Sequence, residues 1–435
     1  MPRRKHNWSI VCAVLASLPA ARASALQPIE TFLQGARRAN HDNREAAATA
    51  TQRSAEADVA KGRLYPVFSA QGSYTRNQYE VSLVLPADFG GGNGERLVIQ
   101  PQNQFDGNLS LNVPLVDIAA WRRVSAADAT SDATRATEKA TQLDVETNIY
   151  RSYYQLIGQE AVFEAAKRSL DVLQKNLEQV QVKVDGGTAS ELDVQRARAE
   201  IAKAQGDIAS ADLAVVTARR QLETASSVSP EPASSFIDDD LHEEQPIETW
   251  LATSNATPRV VSAEAAQRAA AKNESAAEAA WYPTLSASAQ ERLTNATSFS
   301  GHAAVYLVQA TLAWKFDGTL SPTVRAQNAA ASVNAVRAER AARAAQDNIY
   351  QAWHQVRAAI EKSRAARGQI TASALAAELA RDRYSVGAAT QLDVLQAQQD
   401  AFRAEVARIQ ADTDLAYARA ALRTNAGRFA ERDKP

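Results

Sequence analysis

The chain has 435 residues, with 48 Lys+Arg against 50 Asp+Glu and a formal net charge of -2, which excludes the strong basic field that a nucleic-acid binder uses. Hydrophobic residues at 45% and charged residues at 23% exclude wholesale disorder. Only 14 Pro and 17 Gly interrupt a chain rich in Ala, Gln, Arg and Glu, so helix is expected to dominate.

Residues 1–25 read as a secretory leader: Arg3, Arg4 and Lys5, an apolar stretch over 8–19, then small Ala23, Ser24 and Ala25 at the cleavage positions. The alternative, an uncleaved anchor, needs an apolar run of about 20 residues; this one is shorter. The single cysteine, Cys12, lies inside the leader after Val11 rather than after a small residue, which argues against a lipoprotein signal. A mature chain without cysteine could hold neither a disulfide nor a thiolate metal site. No other long apolar run follows, so entry into a membrane would have to use strands.

The strongest internal signal is a duplication. Asn148-Ile149-Tyr150 recurs as Asn348-Ile349-Tyr350, residues 187–194 recur as 387–394, and Asp117 recurs as Asp317, all at an offset of 200. Tyr65-Pro66 pairs with Tyr282-Pro283 at an offset of 217, so the first copy carries 17 extra residues before its Asp. Whatever one half builds, the other half builds too.

In chain order, a helical stretch over 28–62 leads to a strand in which Phe68, Ala70, Gly72 and Tyr74 alternate with Ser69, Gln71, Ser73 and Thr75. Residues 77–103, with five residues 90–94 containing Gly90, are expected to be a surface loop that holds the 17 extra positions. A second strand alternates Phe105, Leu109, Leu111, Val113 and Leu115 with polar residues. Residues 118–185 contain no Pro and only Gly158, with Ile149, Leu156, Phe163, Leu170, Leu177 and Val184 at intervals of seven, the pattern of a coiled-coil seam. At about 1.5 Å per residue this helix would run about 100 Å. A glycine turn and a helix over 190–224 close the first copy. The acidic, Ser- and Pro-rich segment 226–246 reads as a solvated linker. The second copy repeats the plan: helix 258–280, strands carrying Leu285, Ala287, Ala289 and Val308, Ala310, Leu312, Trp314, a long helix over 322–385 with Ile349, Val356, Ile370 and Tyr384 on its seam, a turn, and helix 390–425. The expected organisation is leader 1–25, first repeat 26–225, linker or equatorial segment 226–258, second repeat 259–427 and tail 428–435.

Four amphipathic strands pose a geometric problem. In a bilayer every backbone amide must be paired, so strands span only as a closed barrel, and bacterial barrels begin at about eight strands. Two chains would give an interior largely filled by side chains; three would give twelve strands and could leave a lumen. The duplicated order, the Tyr-Pro before a strand, and the segment Val386-Gly387-Ala388-Ala389-Thr390-Gln391-Leu392-Asp393-Val394 with its first-repeat counterpart resemble the TolC-type outer-membrane efflux and secretion channel family over nearly all of the mature chain.

That resemblance implies a mainly α fold with a small β part: a homotrimer in which four strands per chain build a twelve-stranded outer-membrane barrel, continued by an α-helical barrel of long antiparallel coiled-coil helices across the periplasm. It implies a periplasmic adaptor, an inner-membrane transporter (proton-driven or ABC) and outer-membrane lipid as partners, no cofactor, and no catalysis. The glycines near Gly90 lack the Gly-Lys-Ser/Thr of a phosphate-binding loop. The resemblance further places Gly187, Thr188, Gly387 and Ala388 where an adaptor docks, and matches Tyr384, Asp393 and Asp193 to a periplasmic gate. The plain alternative for Ser190 with Asp193, and Thr390 with Asp393, is helix capping. Gln396 stands where a second acidic residue can occur, and Ala389 replaces a polar partner. Trp121, Trp281 and Trp314, near strand ends, fit a membrane-interface belt or simple packing. His41, His242, His302 and His354 are dispersed without metal-ligand spacing, and no catalytic constellation stands out. A periplasmic coiled-coil scaffold or adaptor remains the second reading, since soluble sheets alternate as well.

Overall fold

The computed structural model describes residues 26–84, 96–232, 236, 239–297 and 300–428. The leader with Cys12, the glycine run beginning at Gly90, and the tail beyond 428 lie outside the described residues. Eight α-helices and six strands are present among them: α1 (Ile29–Ala39), α2 (His41–Gly62), β1 (Val67–Arg76), β2 (Val81–Val84), β3 (Arg96–Gln100), β4 (Asn103–Val116), α3 (Ile118–Asp185), α4 (Glu191–Ser226), α5 (Ile247–Leu251), α6 (Pro258–Glu278), β5 (Thr284–Thr294), β6 (Ala304–Ala313), α7 (Leu320–Ser385) and α8 (Gln391–Asn425). The chain divides into two compact units, to both of which α3 and α7 contribute.

One unit comprises residues 36–150, 242–361 and 417–428 of the described chain. Its sheet runs β1-β4-β5-β6, antiparallel throughout. The Tyr-Pro pairs stand just before β1 and β5, where a missing amide breaks no ladder bond. Register places Phe68, Leu111, Ala289 and Val308 in one row across the sheet, and Ser69, Ser110, Gln290 and Leu307 in the next. One face therefore carries mainly apolar residues on all four strands, interrupted by Glu291 of β5, which pairs with Leu109 and Tyr306. The other carries Gln71, Asn108 and Arg292, the last paired with Asp106 at 3.0 Å. Both faces are solvent-exposed, and β1 and β6 each have one unpaired edge.

The stretch expected to be a plain loop is instead partly a hairpin. β2 and β3 pair antiparallel, and Arg96 reaches Glu80 at 2.5 Å and Ser82 at 3.0 Å. Both segments are short and rich in β-branched or aliphatic residues, Val81, Leu83 and Val84 against Leu97, Val98 and Ile99, which favours pairing, with a register shift between Val81 and Ser82. Residues 28–62 form two helices rather than one: Asn40 is extended, and its side chain accepts from the amides of Asp42 and Asn43, starting α2 afresh. Among the helices of this unit, Ala133 of α3 packs on Ala265 and Ala269 of α6, and Glu146 accepts from Arg37 Nε and Nη2 at 3.0 and 2.9 Å. Arg419 of α8 is buried against Glu244 at 2.6 Å.

The other unit, residues 26–35, 151–241 and 362–416 of the described chain, is a four-helix assembly. In α4, Val194 and Ala197 begin a pattern that Ala204, Ala211, Val215, Ala218, Leu222 and Ala225 continue, all buried, spaced as coiled-coil core positions are. Along α7 the expected seam is buried at Ile349, Val356 and Tyr384 but only partly at Ile370, and Ser363 and Ala377 fill intervening rows. Along α3 the seam drifts. Ile149 and Leu156 are buried, but the row then passes to Ala166, Leu173 and Val180, leaving Phe163, Leu170, Leu177 and Val184 only partly covered. The step from 156 to 166 is a heptad plus three, a stammer that a strict seven-residue count does not follow. Polar links cross between helices: Glu160 to Arg219 at 2.6 Å, Arg168 to Glu405 at 2.6 Å, and buried Asn176 to Gln391 at 2.5 Å.

Candidate functional site: two helix tips and an amphipathic sheet

Both long helices stop in the same way. Gly187 and Gly387 take left-handed φ values of 72° and 80°, a region that costs glycine nothing. The Gly187 amide donates to Val184 O at 2.9 Å and the Thr188 amide to Lys183 O at 2.8 Å; in the second tip Gly387 donates to Tyr384 O at 3.2 Å and Ala388 to Arg383 O at 2.7 Å. These paired bonds are Schellman motifs, which satisfy the carbonyls a helix end would leave open.

The next helix then starts on a cap. Asp393 Oδ2 accepts from the Thr390 amide at 2.8 Å and its hydroxyl at 2.7 Å; Asp193 Oδ2 accepts from the Ser190 amide at 3.2 Å and its hydroxyl at 3.0 Å. The Thr390 hydroxyl, then the Thr390 amide, hold the Asp393 carboxyl below the usual carboxylate range. Asp393 is thus a capping residue here, while remaining exposed. Gln396 is also exposed, and Ala389 packs under the tip.

Tyr384 does not project from the tip. It is 8% exposed, clustered with Val180, Val194 and Val394. Its hydroxyl is buried with no hydrogen-bond partner. Burial first, and the Asp193 charge second, push that hydroxyl's pKa up. Lys183, which the sequence reading passed over, places its ammonium 4.0 Å from the Tyr384 ring centre and donates to Tyr384 O at 2.5 Å. Its last-turn position, matched by Arg383 in the repeat, was the available signal.

At the sheet, Trp314 continues the apolar face of β6; its Nε1 donates to Trp281 O at 3.0 Å, and its ring lies 4.8 Å from Phe316. Trp121, at the start of α3, is half exposed. At the opposite end of the strands Tyr74 and Phe105 stack at 5.0 Å and Tyr306 is exposed. From Trp314 to Tyr306 is eight residues, or about 26 Å of strand; at a tilt of about 40° that rises about 20 Å, most of the ~25 Å apolar band of an outer-membrane barrel. The histidines go elsewhere: His354 packs against the Tyr350 and Trp353 rings, and His242 beside Arg419. Among the described residues no helix is long and apolar enough to cross a membrane.

The outer membrane efflux protein family matches residues 32–227 and 253–428. Solved structures share the fold at low identity. The CmeC outer membrane channel of Campylobacter jejuni is 17% identical, covering 94% of this chain and 88% of its own, at a TM-score of 0.79. The open state of the Neisseria gonorrhoeae MtrE outer membrane channel is 20% identical, covering 93% and 89%, at 0.73. The outer membrane protein VceC of Vibrio cholerae is 17% identical, covering 92% and 96%, at 0.75. No curated protein sequence matches the chain at a significant level.

Proposed function

The chain belongs to the outer membrane efflux protein family, an outer-membrane efflux channel extending into the periplasm, and from that premise we propose that it works as a homotrimer in a tripartite efflux pump or type I secretion system. The observation that carries this reading is the four-stranded sheet with one mainly apolar face and two open edges. Such a sheet meets lipid on its apolar side only if β1 of one copy pairs with β6 of the next, so that no edge is left unsatisfied. Three copies give twelve strands around a polar lumen.

In this reading Trp121, Trp281 and Trp314 sit at the periplasmic interface of the outer membrane, and the tips at Gly187-Thr188 and Gly387-Ala388 meet a periplasmic adaptor. Tyr384, Asp393 and Asp193 of three copies surround the periplasmic aperture. An inner-membrane transporter, proton-driven or ABC, supplies energy and selects cargo. The test is cysteine cross-linking across the seam, with Cys at Ser69 or Gln71 of β1 and at Val305, Leu307 or Gln309 of β6, all on the polar face. Expected are chain-to-chain disulfides giving dimers and trimers in isolated outer membranes. A water-soluble monomer with no cross-link at any pair would overturn the reading.

A further inference from the structure

Lys183 does something its repeat counterpart does not. Its side chain leaves the last turn of α3 and ends on the last turn of α7. There the ammonium donates to Tyr384 O at 2.5 Å and to Ser385 O at 3.4 Å, and lies 4.0 Å from the centre of the Tyr384 ring. Tyr384 O is also the acceptor for the Gly387 amide at 3.2 Å, one of the two bonds that shape the second tip. Lys183's own carbonyl accepts from Thr188 and Ala189 at 2.8 and 3.2 Å, which shapes the first tip. One residue therefore joins both turns, by its backbone in one and its side chain in the other. Arg383, at the equivalent place in the second copy, is exposed.

The chemistry favours a cation here. A helix C-terminus carries unsatisfied carbonyls and the negative end of the macrodipole, and an aromatic face attracts an ammonium. The Tyr384 ring is held between this ammonium and the Val180, Val194 and Val394 side chains, with no bond to its hydroxyl. Its position is thus set by packing and by Lys183.

We propose that Lys183 is a positioning residue for the periplasmic aperture, a latch that fixes the α7–α8 tip and the Tyr384 ring to the α3–α4 tip so that the two turns of one chain move together. This rests on the trimeric channel reading for its functional consequence, but the coupling itself is a property of one chain. The test compares wild type with Lys183→Met, which keeps the aliphatic stem, and Lys183→Arg, which keeps a cation with donors. Spin labels at Thr188→Cys and Ala388→Cys, diluted with unlabelled subunits, report the tip-to-tip distance, and bilayer recordings report conductance. Expected for the Met variant are a broadened distance distribution and a several-fold rise in conductance, with Arg restoring both and with an unchanged unfolding midpoint. Identical distance distributions in wild type and the Met variant would overturn the latch. Should wild type form no channel, the trimeric reading falls while the distances still decide the latch.

Discussion

Gly158 offers a sharp test of the helix packing, because the same substitution should have opposite signs at different places. On α3 a Cβ at Gly158 would lie 2.7 Å from Thr413 Oγ1, 3.1 Å from its Cγ2 and 3.3 Å from its Cβ. Thr413 cannot swing away freely, since its hydroxyl donates to Ile409 O at 2.7 Å. Alanine is the better helix former by about 0.8–1.0 kcal/mol, but overpacking a fitted crossing costs about 1–3 kcal/mol, and a displaced Thr413 forfeits a hydrogen bond of about 1 kcal/mol. Gly158→Ala should therefore be destabilising on balance. At Gly206 and Gly368, also within helices, an added Cβ meets nothing within 4 Å, so Gly206→Ala and Gly368→Ala should each gain about 0.8 kcal/mol. Thermal unfolding of the detergent-solubilised protein followed by circular dichroism, at one scan rate, gives the ranking. Thr413→Ala removes the two closest contacts, so the pair Gly158→Ala/Thr413→Ala should show a favourable coupling of about 1–2 kcal/mol. If Gly158→Ala proved as stabilising as Gly206→Ala, α3 and α8 would not cross closely there and the argument would be wrong.

Asp412 is fully buried between Arg367 at 3.2 Å and Arg408 at 3.3 Å and also accepts from the Ser363 hydroxyl, so Asp412→Ala should cost about 3 kcal/mol by removing the buried carboxylate these groups share, and a denaturation midpoint equal to wild type would contradict this. Tyr384→Phe removes a buried hydroxyl that has no partner; stability should hold or rise by about 1 kcal/mol, and a clear loss in the same assay would reveal a bond that the geometry lacks. Asp393 is held below its ordinary range by Thr390, so the folded tip binds a proton less readily than the unfolded chain. Its contribution should be complete above about pH 4 and vanish as pH falls through the lower folded value. Protection factors across residues 388–394, taken against the intrinsic exchange rate at each pH, should fall on acidification in wild type but not in Asp393→Asn; equal pH dependence in both would remove the cap from the account. Tryptophan quenching by lipids brominated at shallow depth should fall when Trp314 is replaced by Phe, and no change would place that ring away from the bilayer interface.

Much of this architecture was legible in residue order alone. The duplication, the two Tyr-Pro strand starts and the Gly-x-x-Ser/Thr tips are local signals, since proline, glycine and capping residues act on the backbone within a few positions of themselves. The strand alternation likewise names its own two faces. The sequence also suggested the α7 seam, because Ile349, Val356 and Tyr384 keep a strict interval that a helix can bury on one side.

What tertiary structure decided was every feature that depends on which helix lies opposite. The α3 seam steps by three after Leu156 because Ala166, Leu173 and Val180 become the fully buried row, while Phe163 and Leu170 stand at its margin, Leu170 still packed beside Leu173, Ala204 and Leu395. Gly158 gains its importance only from Thr413, and Asp412 only from Arg367 and Arg408. Lys183 and Tyr384, 201 positions apart, are adjacent because two turns end side by side. Periodicity tells a helix which of its sides to hide, but the partner that covers it is chosen by packing over the whole chain.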